Sequence, residues 1–361
     1  MTTNTRLLQG LGQSLWLDNI TRDLLTSGTL KRFIDEWSIT GITSNPTIFD
    51  EAIGGSAAYD DAIRAAASQP IPNEDLFTDL ALEDLRGAAD LLRPVFDATR
   101  GLDGWVSMEV SPLLVDDTEG TVAAAVKIFS RAERPNLFVK IPGTTAGVAA
   151  IEECIFRGVP VNVTLLFSRA QYVAAAEAYL RGIERRVKAG LDARVASVAS
   201  LFISRWDRAV NDLVPPDLRN QLGIAVAGVA YANYREMLES DRWRRLAKQG
   251  AMPQRLLWAS TGMKDPAARD CLYVEALAAP DTVNTLPEKT LRAFVDHGRA
   301  PTVMAADGLA AGATLRLFRK AGIDLKSLAA RLQVEGAESF ARSWRQLMAR
   351  IAEKRKAWMA R

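Results

Sequence analysis

Apolar and polar positions along this chain follow two rhythms, and the points where one gives way to the other mark the elements. Short, dense apolar runs at 13–18, 39–43, 105–110, 136–143, 159–167, 195–202, 255–261 and 282–286 have the length of strands, several of them apolar on both faces. Between them apolar residues recur every three or four positions, as Val122, Val126 and Phe129 do within 118–134, which is the stripe of a helix packed on one side. The same spacing and its flanking residues predict helices at 21–37, 57–68, 73–99, 145–157, 168–188, 204–211 and 221–249, with another opened by Pro287. Pro46 forces Asn45 into an extended conformation and can start a further one.

Eight strands alternating with helices make parallel βαβ units, and eight such units fit a closed α/β structure, the (β/α)8 or TIM barrel. An open doubly wound sheet is the competitor. Against it, no GxGxxG follows the first strand, and Gly-Thr-Thr-Ala-Gly at 143–147 lacks the lysine and spacing of a P-loop, so it reads as a turn and helix start. The expected layout is one unit over 1–361, with the barrel at about 10–300 and additional C-terminal helices at about 303–361.

Within the strands, polar residues share one parity. Asp18 alternates with Trp16 and Ser14, Glu109 with Ser107, Lys140 with Phe138, and Asn162 with Thr164, while the opposite parity is mostly aliphatic. In a barrel each can face the axis, and barrel active sites lie at the carboxyl ends of the strands. Lys140 is central because it ends a nearly continuous apolar run that Pro142-Gly143 closes. An amine held where desolvation opposes its charge can act as free base and attack a carbonyl. The competing readings are a lysine that reaches out to pair with a carboxylate and, for the group, a closed ion-pair network.

Composition narrows the chemistry. Lys plus Arg is 45 against 43 Asp plus Glu, a balance without the footprint of a nucleic-acid or membrane partner. No segment approaches a membrane span and the N-terminus lacks a signal-type apolar core, so a cytoplasmic location is expected. His297 is the single histidine, which excludes a His-rich metal site; near Gly298 it reads as a helix-end residue rather than a triad member. Cys154 and Cys271 have no zinc-type spacing and read as small buried hydrophobes. Catalysis is left to Lys, Asp, Glu, Thr and Ser.

The stretches LWLDNI, TGITSNPTIF, VSMEVSP, LFVKIPGT, GVPVNVTLLFS, ASLFISRWD and WASTGMKDP, in this order over roughly 10–300, resemble transaldolases, in particular their longer bacterial branch. The resemblance implies a (β/α)8 enzyme of the pentose phosphate pathway that works without metal or organic cofactor. It would move a dihydroxyacetone unit between sugar phosphates, from sedoheptulose 7-phosphate to glyceraldehyde 3-phosphate, giving erythrose 4-phosphate and fructose 6-phosphate. By the same resemblance Lys140 forms the Schiff base, Asp18 takes the C4 hydroxyl proton, and Glu109 is the acid/base acting through a water held by Thr164. Asn45 and Asn162 hold the dihydroxyacetone hydroxyls with Ser200 beside them, and Arg205, Ser260 and Lys264 clamp the phosphate. Shorter relatives carry arginine where this chain has Lys264, with Lys289 or Arg255 as substitutes for it; the competing reading of Arg205 is a surface pair with Asp207 or Asp212. Related aldolases that release dihydroxyacetone replace the Glu109-type carboxylate with an amide and carry tyrosine at the place of Phe202, so Glu109 and Phe202 point to transfer. A fructose 6-phosphate or deoxyribose phosphate aldolase and a non-catalytic sugar-phosphate-binding barrel are the rivals. A monomer and a homodimer both fit.

Beyond the eight units, Phe340, Trp344, Leu347 and Ile351 recur at helical spacing, and nine Lys or Arg face four Asp or Glu from Ile323 onward. An amphipathic helix docked on the barrel is expected. Its basic face is either simply solvated or, if near the barrel mouth, a source of positive potential for sugar phosphates.

Overall fold

The computed structural model describes residues 4–359; Met1, Thr2, Thr3, Ala360 and Arg361, part of the terminal stretches read above, lie outside the described residues. Its strands are β1 (Ser14–Asp18), β2 (Ile39–Thr43), β3 (Trp105–Glu109), β4 (Leu137–Pro142), β5 (Val161–Leu166), β6 (Ser197–Phe202), β7 (Gln254–Ala259) and β8 (Val283–Leu286). Each pairs in parallel with the next and β8 pairs with β1, so the sheet closes in chain order into a (β/α)8 barrel. Every strand lies within two residues of its expected bounds.

The helices depart from expectation where short polar residues interrupt an apolar stripe. The stretch 21–37 is two helices, Arg22–Thr26 and Thr29–Trp37, separated at Gly28, whose φ of 74° a helix cannot contain. The stretch 221–249 is likewise two, Leu222–Glu239 and Asp241–Lys248; Ser240 turns extended between them, and its hydroxyl accepts from the Trp243 amide at 3.1 Å to cap the second. The helix expected at 57–68 is a 3-10 turn at Ala57–Tyr59 followed by Asp60–Ala65. Asn4–Gly10 is helical without having been expected, and Pro46–Gly55 follows Pro46 as that proline allowed.

The barrel interior is filled rather than hollow. Trp16 of β1 and Phe138 of β4 belong to strands that do not pair, yet their rings lie 6.1 Å apart, and Trp105 stacks on Phe138 at 4.0 Å. Only side chains pointing at the axis can meet this way, so the inward parity holds for these strands. The Trp16 indole N–H donates to Asp103 at 2.7 Å. Arg255, near the start of β7, donates to the Ser14 hydroxyl at 2.6 Å and the Thr282 carbonyl at 2.7 Å, both at the amino ends of their strands. It therefore closes the end of the barrel opposite the mouth.

Two helices follow the barrel. Leu309–Lys320 packs beside Leu222–Glu239, and the 35-residue helix Leu325–Met359 runs across the carboxyl end of the barrel. Its apolar stripe docks as expected: Trp344, Leu347 and Ile351 are buried, and Trp344 meets Phe77 edge-on at 5.1 Å. Gln333 donates to the carbonyls of Gly143 and Leu165, each at 3.0 Å. The second carbonyl is presented by an irregularity in β5, where the pairing register shifts between Val163 and Leu166 and Leu165 takes a φ of 58°.

Gly41 of β2 faces the Trp16 indole so closely that a methyl group built on it would lie 2.6 Å from the ring. Gly41→Ala is expected to cost about 1–3 kcal/mol through overpacking, read as a lower thermal midpoint. An unchanged midpoint would show that the indole does not lie against this strand.

Candidate active site

All six residues of β4 are buried, yet the fourth is Lys140, 6% exposed. A buried ammonium needs partners. Lys140 Nζ donates to the Ser44 carbonyl at 2.5 Å and to Glu109 Oε1, whose residue stands beside it in register on β3. The other Glu109 oxygen accepts from the Ser44 hydroxyl at 3.0 Å. Burial raises the Glu109 pKa, and the charge and hydrogen bond of Lys140 and the Ser44 hydroxyl offset only part of that. Lys140 thus does not reach out of its strand end: it is buried inside the barrel mouth, and the carboxylate it pairs with is the equally buried Glu109 beside it.

Asp18 ends β1 on the same level. Its carboxylate accepts from the Thr43 hydroxyl at 2.9 Å, and Thr43 in turn lies 2.6 Å from the Thr285 hydroxyl. Because Thr43 has one hydrogen, which Asp18 takes, Thr285 must donate to Thr43. Burial raises the Asp18 pKa; Lys140, Thr43 and Lys264 pull the other way by less. Two carboxyls biased toward keeping a proton therefore flank one amine.

Asp18, Lys140, Thr164, Ser200 and Asn45 line a cavity of about 280 Å³ at the carboxyl end of the barrel. Asn45 is the N-cap of Pro46–Gly55; its side-chain oxygen accepts from the Ile48 amide at 3.1 Å, which leaves the NH2 group for other acceptors. Asn162 is fully buried and not on the cavity wall. Its oxygen accepts from the Ser200 hydroxyl at 2.7 Å and its nitrogen donates to Ser107 at 3.2 Å, so it orients Ser200 from below. The Thr164 hydroxyl is buried without a protein partner, and Thr164, Glu109 and Lys140 together border a void of about 20 Å³. That is room for about one water.

Cations gather on the opposite wall. Arg205 lies 5.2 Å from the Phe202 ring centre and 5.9 Å from that of Phe340, and no carboxylate among the described residues forms an ion pair with it. Asp207, its expected rival partner, is committed elsewhere: it accepts from the amides of Leu222 and Gly223 at 2.8 and 3.2 Å and from the Tyr273 hydroxyl at 2.7 Å. Desolvation, with the nearby Arg208 charge, lowers the Arg205 pKa. Ser260, which also lines the cavity, shares a hydrogen bond with Ser204 at 2.9 Å and sits just past β7 at a φ of 56°, a conformation that aims a strand-end residue sideways. Lys264 completes this wall. Its suggested substitutes do not: Arg255 seals the far end of the barrel, and Lys289 is exposed on Glu288–His297 away from the cavity.

The long C-terminal helix does reach the mouth, but with Ser339 and Phe340 rather than with charge. Three of its cations are held by packing contacts: Arg350 pairs with Asp50 and Lys354 with Asp60, each at 2.6 Å, while Arg355 donates to Asn73 at 2.7 Å. Of the two readings of its basic face, the solvated one fits the cavity wall, to which this helix contributes no basic residue. Sequence reasoning also missed Ser44, Thr43 and Thr285. Ser44 and Thr43 stand at a strand end that was singled out for Asn45, and that position was the available signal.

Comparison with known proteins agrees with this geometry. The family model described as Transaldolase/Fructose-6-phosphate aldolase matches residues 15–351. The chain is 44% identical over 362 residues to the transaldolase of Acidothermus cellulolyticus, covering 97% of this chain and 96% of that protein. It is 44% identical over 355 residues to the transaldolase of Thiobacillus denitrificans, covering 96% and 99%. Transaldolase 2 of Nostoc punctiforme is 41% identical over 374 residues, with 98% of each covered. Over nearly its whole length, this chain belongs to the transaldolase/fructose-6-phosphate aldolase family.

Proposed function

We propose that the cavity carries out transaldolase chemistry, moving a dihydroxyacetone unit from a ketose phosphate to an aldose phosphate through an imine on Lys140. The observation that carries the reading is the buried amine itself, held between a carboxylate and a backbone carbonyl at the floor of an otherwise open cavity. Glu109 takes the ammonium proton, which its burial-raised affinity for protons favours, and the freed amine attacks the ketose carbonyl. The carbinolamine then loses water; Glu109 returns the proton through a molecule occupying the small void against Thr164. The protonated imine draws electrons as Asp18 removes the C4 hydroxyl proton, the C3–C4 bond breaks and the aldose phosphate leaves. Reversal with a second aldose phosphate completes the transfer.

Recognition follows the polarity of the walls. Asn45 and Ser200, the latter set by Asn162, suit the hydroxyls of the three-carbon unit. Arg205, Ser260 and Lys264 suit the phosphate, a forked cation and a point charge around one hydroxyl. Sedoheptulose 7-phosphate with glyceraldehyde 3-phosphate is the proposed physiological pair, in the pentose phosphate pathway. Release of free dihydroxyacetone, as a fructose 6-phosphate aldolase would do, is the second reading, because the family description names both activities.

Incubation with fructose 6-phosphate followed by borohydride should leave a dihydroxyacetone-sized adduct on Lys140, located by peptide mass spectrometry. Absence of an adduct from this and other ketose phosphates, with the protein folded, would move the reading to a non-catalytic barrel. Adding erythrose 4-phosphate to the unreduced mixture separates transfer from release.

Because burial raises the Asp18 and Glu109 pKa values, both bases are lost to protonation as pH falls through those raised values. The acid limb of the kcat profile should therefore lie above the ordinary carboxylate range of about 3.9–4.3. Asp18→Asn should slow turnover by about 10²–10⁴-fold while borohydride still traps the uncleaved fructose 6-phosphate on Lys140. Loss of the adduct in that variant would instead give Asp18 a part in imine formation.

A further inference from the structure

His297, the chain's single histidine, ends the helix Glu288–His297, as its position beside Gly298 suggests. Its imidazole stands between two carboxylates. Nδ1 is 3.0 Å from Asp296, and Nε2 is 3.0 and 3.1 Å from the two oxygens of Asp270. An ion pair accounts for that much. Cys271 joins the same cluster: its buried thiol hydrogen-bonds Asp270, burial pushes its pKa up to about 12, and one ligand atom each from Asp270, Cys271 and His297 all lie within 4.8 Å of one another.

We propose that Asp270, Cys271 and His297 form a binding site for a zinc-type divalent cation, separate from the active cavity. Metal–donor distances of about 2.0–2.3 Å place the donors of a tetrahedral site roughly 3.3–3.8 Å apart, so small side-chain rotations close the present cluster around an ion. A sulfur, an imidazole nitrogen and one carboxylate oxygen suit zinc and not magnesium or calcium, which take oxygen ligands. Asp296 supplies the outer partner that a metal-bound histidine needs: with Nδ1–H donated to Asp296, the Nε2 lone pair faces Asp270 and Cys271. On binding, zinc replaces the Cys271 thiol proton, which passes to solvent, and the fourth position is open to water on the side where the Asp270 and His297 side chains are 52% and 48% exposed.

None of the three residues lines the active cavity, so the site is a fastener and not a reaction centre. It joins the segment that leaves β7 through Lys264 to the helix that follows β8, a junction where the exposed His297–Asp270 ion pair alone carries small weight.

Full-length protein freed of metal by chelation and titrated with Co²⁺ should bind one equivalent. The spectrum should show a near-ultraviolet thiolate-to-cobalt charge-transfer band and the intense visible bands of tetrahedral coordination, both displaced by Zn²⁺. Zinc should also raise the thermal midpoint. His297→Gln, an exposed substitution, should lose the tetrahedral bands and the zinc-dependent rise, whereas Cys154→Ser should keep both. Cobalt held without a thiolate band, or zinc stabilisation unchanged in His297→Gln, would overturn the site and leave a histidine–carboxylate pair.

Discussion

Two opposite charges taken out of water side by side, Lys140 on β4 and Glu109 on β3, set the terms for the top of this barrel. Removing either partner of such a pair leaves the other uncompensated, at about 3–5 kcal/mol, so the surroundings must hold both. They do so through one residue: Ser44 gives its carbonyl to the amine and its hydroxyl to the carboxylate. The hydroxyl chain from Thr285 through Thr43 to Asp18 performs the same service for the second carboxyl. A layer of polar contacts therefore caps the aromatic layer of Trp16, Trp105 and Phe138 beneath it.

That layering explains why the walls differ. Asp18, Glu109, Lys140 and Thr164 come from inward strand positions and are held by burial and hydrogen bonds. The cations come from the ends and loops of later strands, where Arg205 leans between aromatic rings and Lys264 extends into solvent.

Much of this was legible in the chain because a closed parallel barrel converts sequence parity into direction. Asp18, Glu109, Lys140 and Thr164 could be assigned to the axis from alternation alone. Asn162 shares their parity and, in register with Lys140, meets the inward Ser107 and Ser200 without lining the cavity, since parity gives direction and not access. Parity was silent on Leu165, whose left-handed backbone breaks the alternation, and on Ser339 and Phe340, which arrive from a helix that no strand period announces. The charge count near the C-terminus left a solvated face and a contribution to the mouth both open, and counting cannot see that Asp50 and Asp60 hold Arg350 and Lys354 from elsewhere in the chain.

The helix Leu325–Met359 has a consequence for synthesis. Chains emerge from the ribosome amino end first, so all eight strands are available to close before Ser339 and Phe340 arrive, and before Gln333 can reach the carbonyls of Gly143 and Leu165. The barrel can be built around its buried ion pair while its mouth is still unfinished. A nascent barrel of this kind has its buried lysine in place but lacks the part of the cavity wall that Ser339 and Phe340 supply until the last helix docks.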